Sequence, residues 1–142
     1  MSIAKHKMRE LALQILFMWD CNSQKDDQMA ATASADDRAA MEMAAAAWDA
    51  REISDQWALR LAPQWPPKRQ PAVDRNLLRL AIWELTSGRT PHKVVIDEAI
   101  ELARQFSTEN SPAFINGVLD AVFKEHLSLT QPPVQPTTTP AP

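Results

Sequence analysis

Apolar residues recur every three or four positions in the first helix-length segment of this 142-residue chain. They comprise Met8, Leu11, Ala12, Ile15, Leu16 and Trp19. This spacing predicts an α-helix with one buried face. Leu13 and Phe17 lie off that face, so the helix is apolar over more than half of its circumference. We therefore expect a helix that is either central in the core or also part of an interface.

The middle of the chain predicts one long helix followed by a rigid connector. Residues 22–36 are polar and alanine-rich, which is typical of a loop with at most a short helix. Residues 37–62 contain no Gly or Pro and keep a helical apolar spacing. The next run, PQWPPKRQP over residues 63–71, cannot continue a helix, because proline lacks an N–H donor and restricts the residue before it.

Three further helices are predicted in the second half of the chain. Asp74 is the expected N-cap of a helix over residues 75–87, with Gly88 as its C-terminal stop. Thr90–Pro91 and Ser111–Pro112 each predict the start of a further helix, because a capping hydroxyl precedes proline at the first helical position. The expected buried face of the first of these helices comprises Leu77, Leu78, Ala81, Ile82 and Leu85.

Composition favours an all-α fold. Hydrophobic residues make up 45% of the chain, whereas only two glycines are present and tyrosine is absent. A β-sandwich or barrel needs many tight turns, so this shortage of glycine argues for helices. We expect one helical domain over residues 1–129 and a disordered Pro/Thr-rich tail over residues 130–142.

The sequence lacks the signals of a secreted, membrane-bound or catalytic protein. Cys21 is the single cysteine, and no apolar stretch has the length of a signal peptide or membrane span. We therefore expect a cytoplasmic location. His6, His92 and His126 are scattered, and no phosphate-binding glycine loop or nucleophile elbow occurs. These features predict a binding protein with no metal and no cofactor, rather than an enzyme.

Charge is distributed unevenly along the chain. The net charge of −3 argues against a protein that coats nucleic acid non-specifically. Residues 1–19 nevertheless carry a net charge of +2, and residues 63–95 carry +4. A polyanion would therefore have to bind to a local patch.

Four segments resemble the NusB transcription antitermination family. They are VDRNLLRLAIWEL (73–85), PHKVVIDEAIELARQFS (91–107), SPAFINGVLDAVFKE (111–125) and, as that family's first helix, RELALQILFMWD (9–20). The resemblance implies two small helical bundles packed together. It also implies a transcription antitermination or termination factor that, with the ribosomal protein NusE, binds boxA-type RNA. This RNA would be bound within the RNA polymerase antitermination complex, notably on ribosomal RNA operons.

The resemblance implies a first RNA-binding element at the N-terminus. The family's arginine-rich stretch is matched here by Lys5, His6, Lys7 and Arg9. The alternative is a solvated helix start. Cations at a helix N-terminus oppose the macrodipole, which indicates a use other than stability.

A second RNA-binding element is implied at the start of the last helix. It maps to Asn110, Ser111 and Phe114, beside Glu109. Phe114 is suited to stack on an unpaired base, and core packing is an equally good interpretation of it. Asn110 stands where relatives often have an acid, and the missing negative charge should favour RNA.

Phe17 and Asp74 match the family's partner-binding positions, and Asp74 is expected to serve as a helix cap as well. A homodimer is an alternative use of Phe17. Gly117, in the FINGVLD motif, is expected to allow close approach of another helix. Two functional alternatives are a protein-binding module with little RNA affinity and an accessory domain related to ribosomal RNA cytosine methyltransferases. The second is disfavoured, because no cofactor-binding α/β domain follows.

Overall fold

The computed structural model describes residues 2–26 and 34–130, and all regular structure in this part of the chain is helical. The predicted all-α class is confirmed. The elements are α1 (Ser2–Asn22), α2 (Ala35–Asp49), α3 (Arg51–Leu61), a short 3-10 helix (Pro67–Arg69), α4 (Ala72–Ser87), α5 (His92–Phe106) and α6 (Ser111–Thr130). Thr130 ends α6, and the rest of the predicted tail lies outside the described residues, as do residues 27–33 of the predicted loop 22–36.

α4 is the central helix, because each of the other five α-helices packs against it. α1, α2 and α3 form one group on α4, and α5 and α6 complete a second group with α4 itself. The predicted apolar face of α4 is confirmed as buried. Four polar residues of α4 are also buried, namely Asp74, Asn76, Arg79 and Glu84. A helix enclosed on all sides must find partners for such groups within the protein.

The prediction that Asp74 caps α4 is wrong. The helix begins at Ala72, after Pro71, and has no side-chain cap. Pro71 stands at the N-cap position in an extended conformation, with φ −53° and ψ 142°, and offers no side-chain acceptor. Asp74 therefore lies within the first turn, where its carboxylate is 3% exposed and available to another element.

The prediction of one helix over residues 37–62 is also wrong, because the chain turns at Ala50 between α2 and α3. Arg51 stabilises this break. Its Nη1 donates to the carbonyl oxygen of Trp48 at 2.9 Å, and its guanidinium lies 4.2 Å from the centre of the Trp48 ring. Both contacts join residues only three positions apart, and the apolar spacing continues through the break without a Gly or Pro to mark it.

Gly88 ends α4 in the left-handed conformation, with φ +72°, as its position predicts. The two predicted hydroxyl caps are not formed. α5 begins after Pro91 without a side-chain cap, and the Thr90 hydroxyl donates to Glu84 instead. Ser111 is the first residue of α6, and its hydroxyl donates to Asp74.

Gly117 does not mark a close contact between helices. It is exposed on α6, and a methyl group added at its Cβ position would meet no atom within 4 Å. The expected close approach is therefore wrong within this chain.

None of the helices in residues 2–26 and 34–130 is long and apolar enough to cross a membrane.

Candidate nucleic-acid interface and partner surface

Lys5 and Lys7 are exposed on the first turns of α1. Lys7 makes only a long contact, 3.7 Å between its Nζ and Glu10 Oε2. His6 is half-buried, with its Nδ1 2.5 Å from Glu98 Oε2 on α5. The two lysines therefore present their charge to solvent, whereas His6 attaches α1 to α5.

Arg9 is a core residue, 5% exposed, and so is not part of a solvated helix start. Its Nε donates to Glu84 Oε1 at 3.0 Å and its Nη2 to Glu84 Oε2 at 2.6 Å. The hydrogen bond to Glu84 raises the pKa of Arg9 above its ordinary value, against the opposing effect of burial. This bidentate pair joins α1 to α4 and leaves the guanidinium no surface for a phosphate.

The turn between α4 and α5 brings two further cations to the start of α1. The Thr90 hydroxyl donates at 2.8 Å to Glu84 Oε2, the oxygen that also accepts from Arg9. Arg89 and Lys93, on either side of Thr90, are exposed. Neither forms an ion pair in the part of the chain that the structure describes. We call Lys5, Lys7, Arg89 and Lys93 the basic end.

The charges of Arg89 and Lys93 are visible in the sequence, but their position beside α1 is not. The pairing of Arg9 with Glu84 joins residues 75 positions apart in the chain. Local spacing carries no signal for such a contact.

Asp74 ties the α5–α6 turn to the first turn of α4. Its Oδ1 accepts from the Ser107 hydroxyl at 2.5 Å, and its Oδ2 accepts from the Ser111 hydroxyl at 2.9 Å. The backbone N–H of Thr108 donates to Ser111 Oγ at 3.2 Å. Ser111 is 1% exposed and its hydroxyl is engaged inside the protein, whereas Asn110 is exposed on the surface of the turn.

Phe114 is half-buried, so its ring both packs on the core and reaches the surface. It lines a cavity of 240 Å³ together with Asn110 and Trp65. The structure thus combines features of the two interpretations of Phe114, core packing and an accessible aromatic ring.

The two predicted RNA elements lie at opposite ends of α4. The basic end surrounds Glu84, whereas Asn110, Ser111 and Phe114 lie beside Asp74. These two α4 residues are ten positions apart, which is about 15 Å along a helix axis. An RNA strand that touched both elements would have to run along the molecule.

The predicted partner residues differ in accessibility. Phe17 is 39% exposed, and Met18 and Cys21 continue an exposed strip along α1. Asp74 is buried and holds two hydroxyl groups, so its carboxylate is not part of the free surface.

A partly buried acid, Asp20, anchors the end of α1 behind this strip. Asp20 Oδ2 accepts from Arg75 Nη2 at 2.6 Å and from Asn76 Nδ2 at 2.9 Å, and its Oδ1 lies 3.3 Å from Arg79 Nη1. Burial alone would raise the pKa of Asp20. The hydrogen bonds from Arg75 and Asn76, with the charges of Arg75 and Arg79, outweigh it and lower this pKa below its ordinary value.

Comparison with known proteins gives the family context of these features. A model of the NusB family matches residues 6–124. The transcription antitermination protein NusB of Solibacter usitatus is 42% identical, over 93% of this chain and 97% of its own length. The corresponding protein of a Roseiflexus species is 34% identical, over 89% of this chain and 96% of its own length. A solved structure of T. maritima NusB superposes with a TM-score of 0.75 at 32% identity, covering 85% of this chain and 91% of that one.

Proposed function

Since this chain belongs to the NusB family of transcription antitermination proteins, which are not enzymes, we propose that it binds boxA-type single-stranded RNA together with ribosomal protein NusE. In this proposal the pair joins the antitermination complex of RNA polymerase in the cytoplasm.

The proposal that the chain binds RNA rests on the exposed cations of the basic end. Lys5, Lys7, Arg89 and Lys93 are exposed around an ion pair that is itself internal. Their charge is thus available to phosphates, although the chain as a whole is acidic. Four exposed cations can neutralise only a few phosphates, which fits a short stretch of RNA.

Asn110, Ser111 and Phe114 form the second part of the proposed RNA surface. Asn110 offers neutral hydrogen-bonding groups on an exposed turn, and Phe114 offers a partly accessible ring. Asp74 contributes by positioning this turn through Ser107 and Ser111. The Ser111 hydroxyl acts in the same internal network rather than directly on RNA.

The proposed NusE surface is the strip of Phe17, Met18 and Cys21 on α1. An exposed phenylalanine beside an exposed methionine is typical of a protein-binding site. Asp74 is buried, so in this proposal it affects NusE binding only indirectly, by fixing the α5–α6 turn against α4. The same strip would serve a homodimer. A chain that used it to bind protein and had little RNA affinity would be the alternative protein-binding module.

Removing charge in pairs from the basic end tests the RNA-binding part. Lys5→Gln with Lys7→Gln should lower the affinity for labelled boxA-type RNA and make the slope of log K against log salt about 1.4 units shallower, because two phosphate contacts are lost. Arg89→Gln with Lys93→Gln should have an effect of the same size. Both slopes are measured by fluorescence anisotropy over a range of salt concentrations.

The matched control is Lys25→Gln with Arg104→Gln, two exposed or half-exposed cations outside the basic end that form surface ion pairs. This control should leave the slope unchanged. If RNA binds and no pair alters the slope, the phosphates lie elsewhere. If RNA does not bind at all, with NusE or without it, the protein-binding alternative replaces the proposal.

A further inference from the structure

Trp65 is 55% exposed, which is unusual for the largest apolar side chain. Its backbone is held on both sides. The N–H of Trp65 donates to the Ala62 carbonyl oxygen at 3.0 Å, and the Trp65 carbonyl oxygen accepts from Gln70 Nε2 at 2.9 Å. Gln70 is 5% exposed, so a buried amide fixes the loop that carries the indole. The ring is presented to solvent on a rigid support.

The connector (residues 63–71) is also attached to the helical core. Arg75 Nη1 on α4 donates to the Pro67 carbonyl oxygen at 3.0 Å, while the rest of its guanidinium holds Asp20. Four prolines in this stretch further limit its conformations. A platform of this kind loses little conformational entropy when a ligand stacks on it.

The indole borders the 240 Å³ cavity that lies between the connector and the α5–α6 turn. Phe114 and Pro71 supply the other apolar walls, and Asn110 and Thr108 supply neutral polar groups. Aromatic walls with a few neutral hydrogen-bonding groups suit a planar base better than a phosphate, since Asp74 also lines the cavity and its carboxylate would repel a second anion.

Two cations accompany Trp65. Lys68 and Arg69, in the short 3-10 helix, are exposed and form no ion pair within residues 2–26 and 34–130. An aromatic platform flanked by free cations is the combination that binds single strands, in which bases stack and phosphates are neutralised. An apolar peptide would use the ring but would gain nothing from the charges.

We infer that the connector is an additional contact for single-stranded RNA, with one unpaired base stacked on Trp65 in the cavity and Lys68 and Arg69 on the neighbouring phosphates. This inference rests on the proposed function and extends its surface. It also continues the second RNA element, because Asn110 and Phe114 line the same cavity.

Substitution of Trp65 separates stacking from charge. Trp65→Ala should weaken binding of boxA-type RNA roughly 5- to 100-fold with an unchanged salt slope, because stacking releases no counterions. Trp65→Phe should restore most of the affinity. Lys68→Gln with Arg69→Gln should instead make the slope about 1.4 units shallower. Ile53→Ala, at an exposed apolar residue of α3, is the control and should not affect RNA. Thermal melting checks that each variant is folded.

A fluorescent base supplies a readout that a structural role of Trp65 would not change. RNAs carrying 2-aminopurine at successive positions should show quenching by the wild-type chain at one position, and Trp65→Ala should abolish that quenching. The inference is overturned if Trp65→Ala binds RNA as wild type does, or if it loses only NusE binding. In either case an effect of Lys5→Gln with Lys7→Gln would leave the proposed function standing. A wild-type chain that binds no RNA overturns both.

Discussion

Replacing Arg9 by methionine should lower the free energy of unfolding by about 3–5 kcal/mol, because it leaves Glu84 charged and buried without its cation. Both side chains are 6% exposed, and the two hydrogen bonds between them measure 3.0 and 2.6 Å. Urea denaturation of the purified chain measures the loss. Lys7→Met, which removes an exposed cation two positions away, is the control and should change the stability by less than about 0.5 kcal/mol.

The double variant Arg9→Met with Glu84→Leu distinguishes a broken pair from a damaged helix. Apolar replacement of both partners of a buried ion pair is often neutral, so most of the stability should return. If Arg9→Met is as stable as Lys7→Met, the pair is not internal in solution, and Arg9 becomes available again as a phosphate contact.

Replacing Asp20 by asparagine should lower the free energy of unfolding at neutral pH by about 1–3 kcal/mol, since the hydrogen bonds from Arg75 and Asn76 lose their charged acceptor. The size of this loss should depend on pH. The pKa of Asp20 is lower in the folded chain than its ordinary value of 3.8. Its contribution is therefore fully present above the ordinary pKa and is lost as the pH falls through the folded value.

Denaturation curves of both proteins between neutral pH and pH 2 measure this dependence. The difference between wild type and Asp20→Asn should be constant near neutrality and shrink in acid, because wild type then loses the same charge by protonation. Asp97→Asn, on an exposed position of α5, is the control and should follow the wild-type profile. A difference that stays constant or grows in acid would show that the charge of Asp20 does not stabilise the fold.

The sequence predicts those parts of the fold that depend on local spacing. The apolar face of α4 and the stop at Gly88 follow from helical periodicity and from the left-handed conformation that glycine tolerates. The break at Ala50 does not, because the apolar spacing continues through it and no Gly or Pro marks it. Asp74 is of a residue type that often caps helices, but its partners are hydroxyl groups more than 30 positions away in the chain.

In the candidate site, too, local spacing predicts some features and contacts between distant residues decide the others. Lys5 and Lys7 are recognisable as exposed cations because they precede the apolar face of α1. Arg9 belongs to the same group of basic residues, and only the antiparallel packing of α1 on α4 places its side chain in the core. That packing also brings Arg89 and Lys93 to the basic end. No local pattern distinguishes a cation that pairs across the core from one that remains in solvent.

The affinity of labelled boxA-type RNA for this chain, measured alone and with NusE over a range of salt concentrations, tests the central claim most directly. We expect weak, salt-sensitive binding by the chain alone and tighter binding once NusE is added. Phe17→Asp should keep the helical circular dichroism signal and the weak RNA binding of the chain alone. Its affinity for NusE should fall roughly tenfold or more, so that adding NusE no longer tightens RNA binding. Tight, salt-insensitive binding by the chain alone, or no gain on adding NusE, would contradict the account.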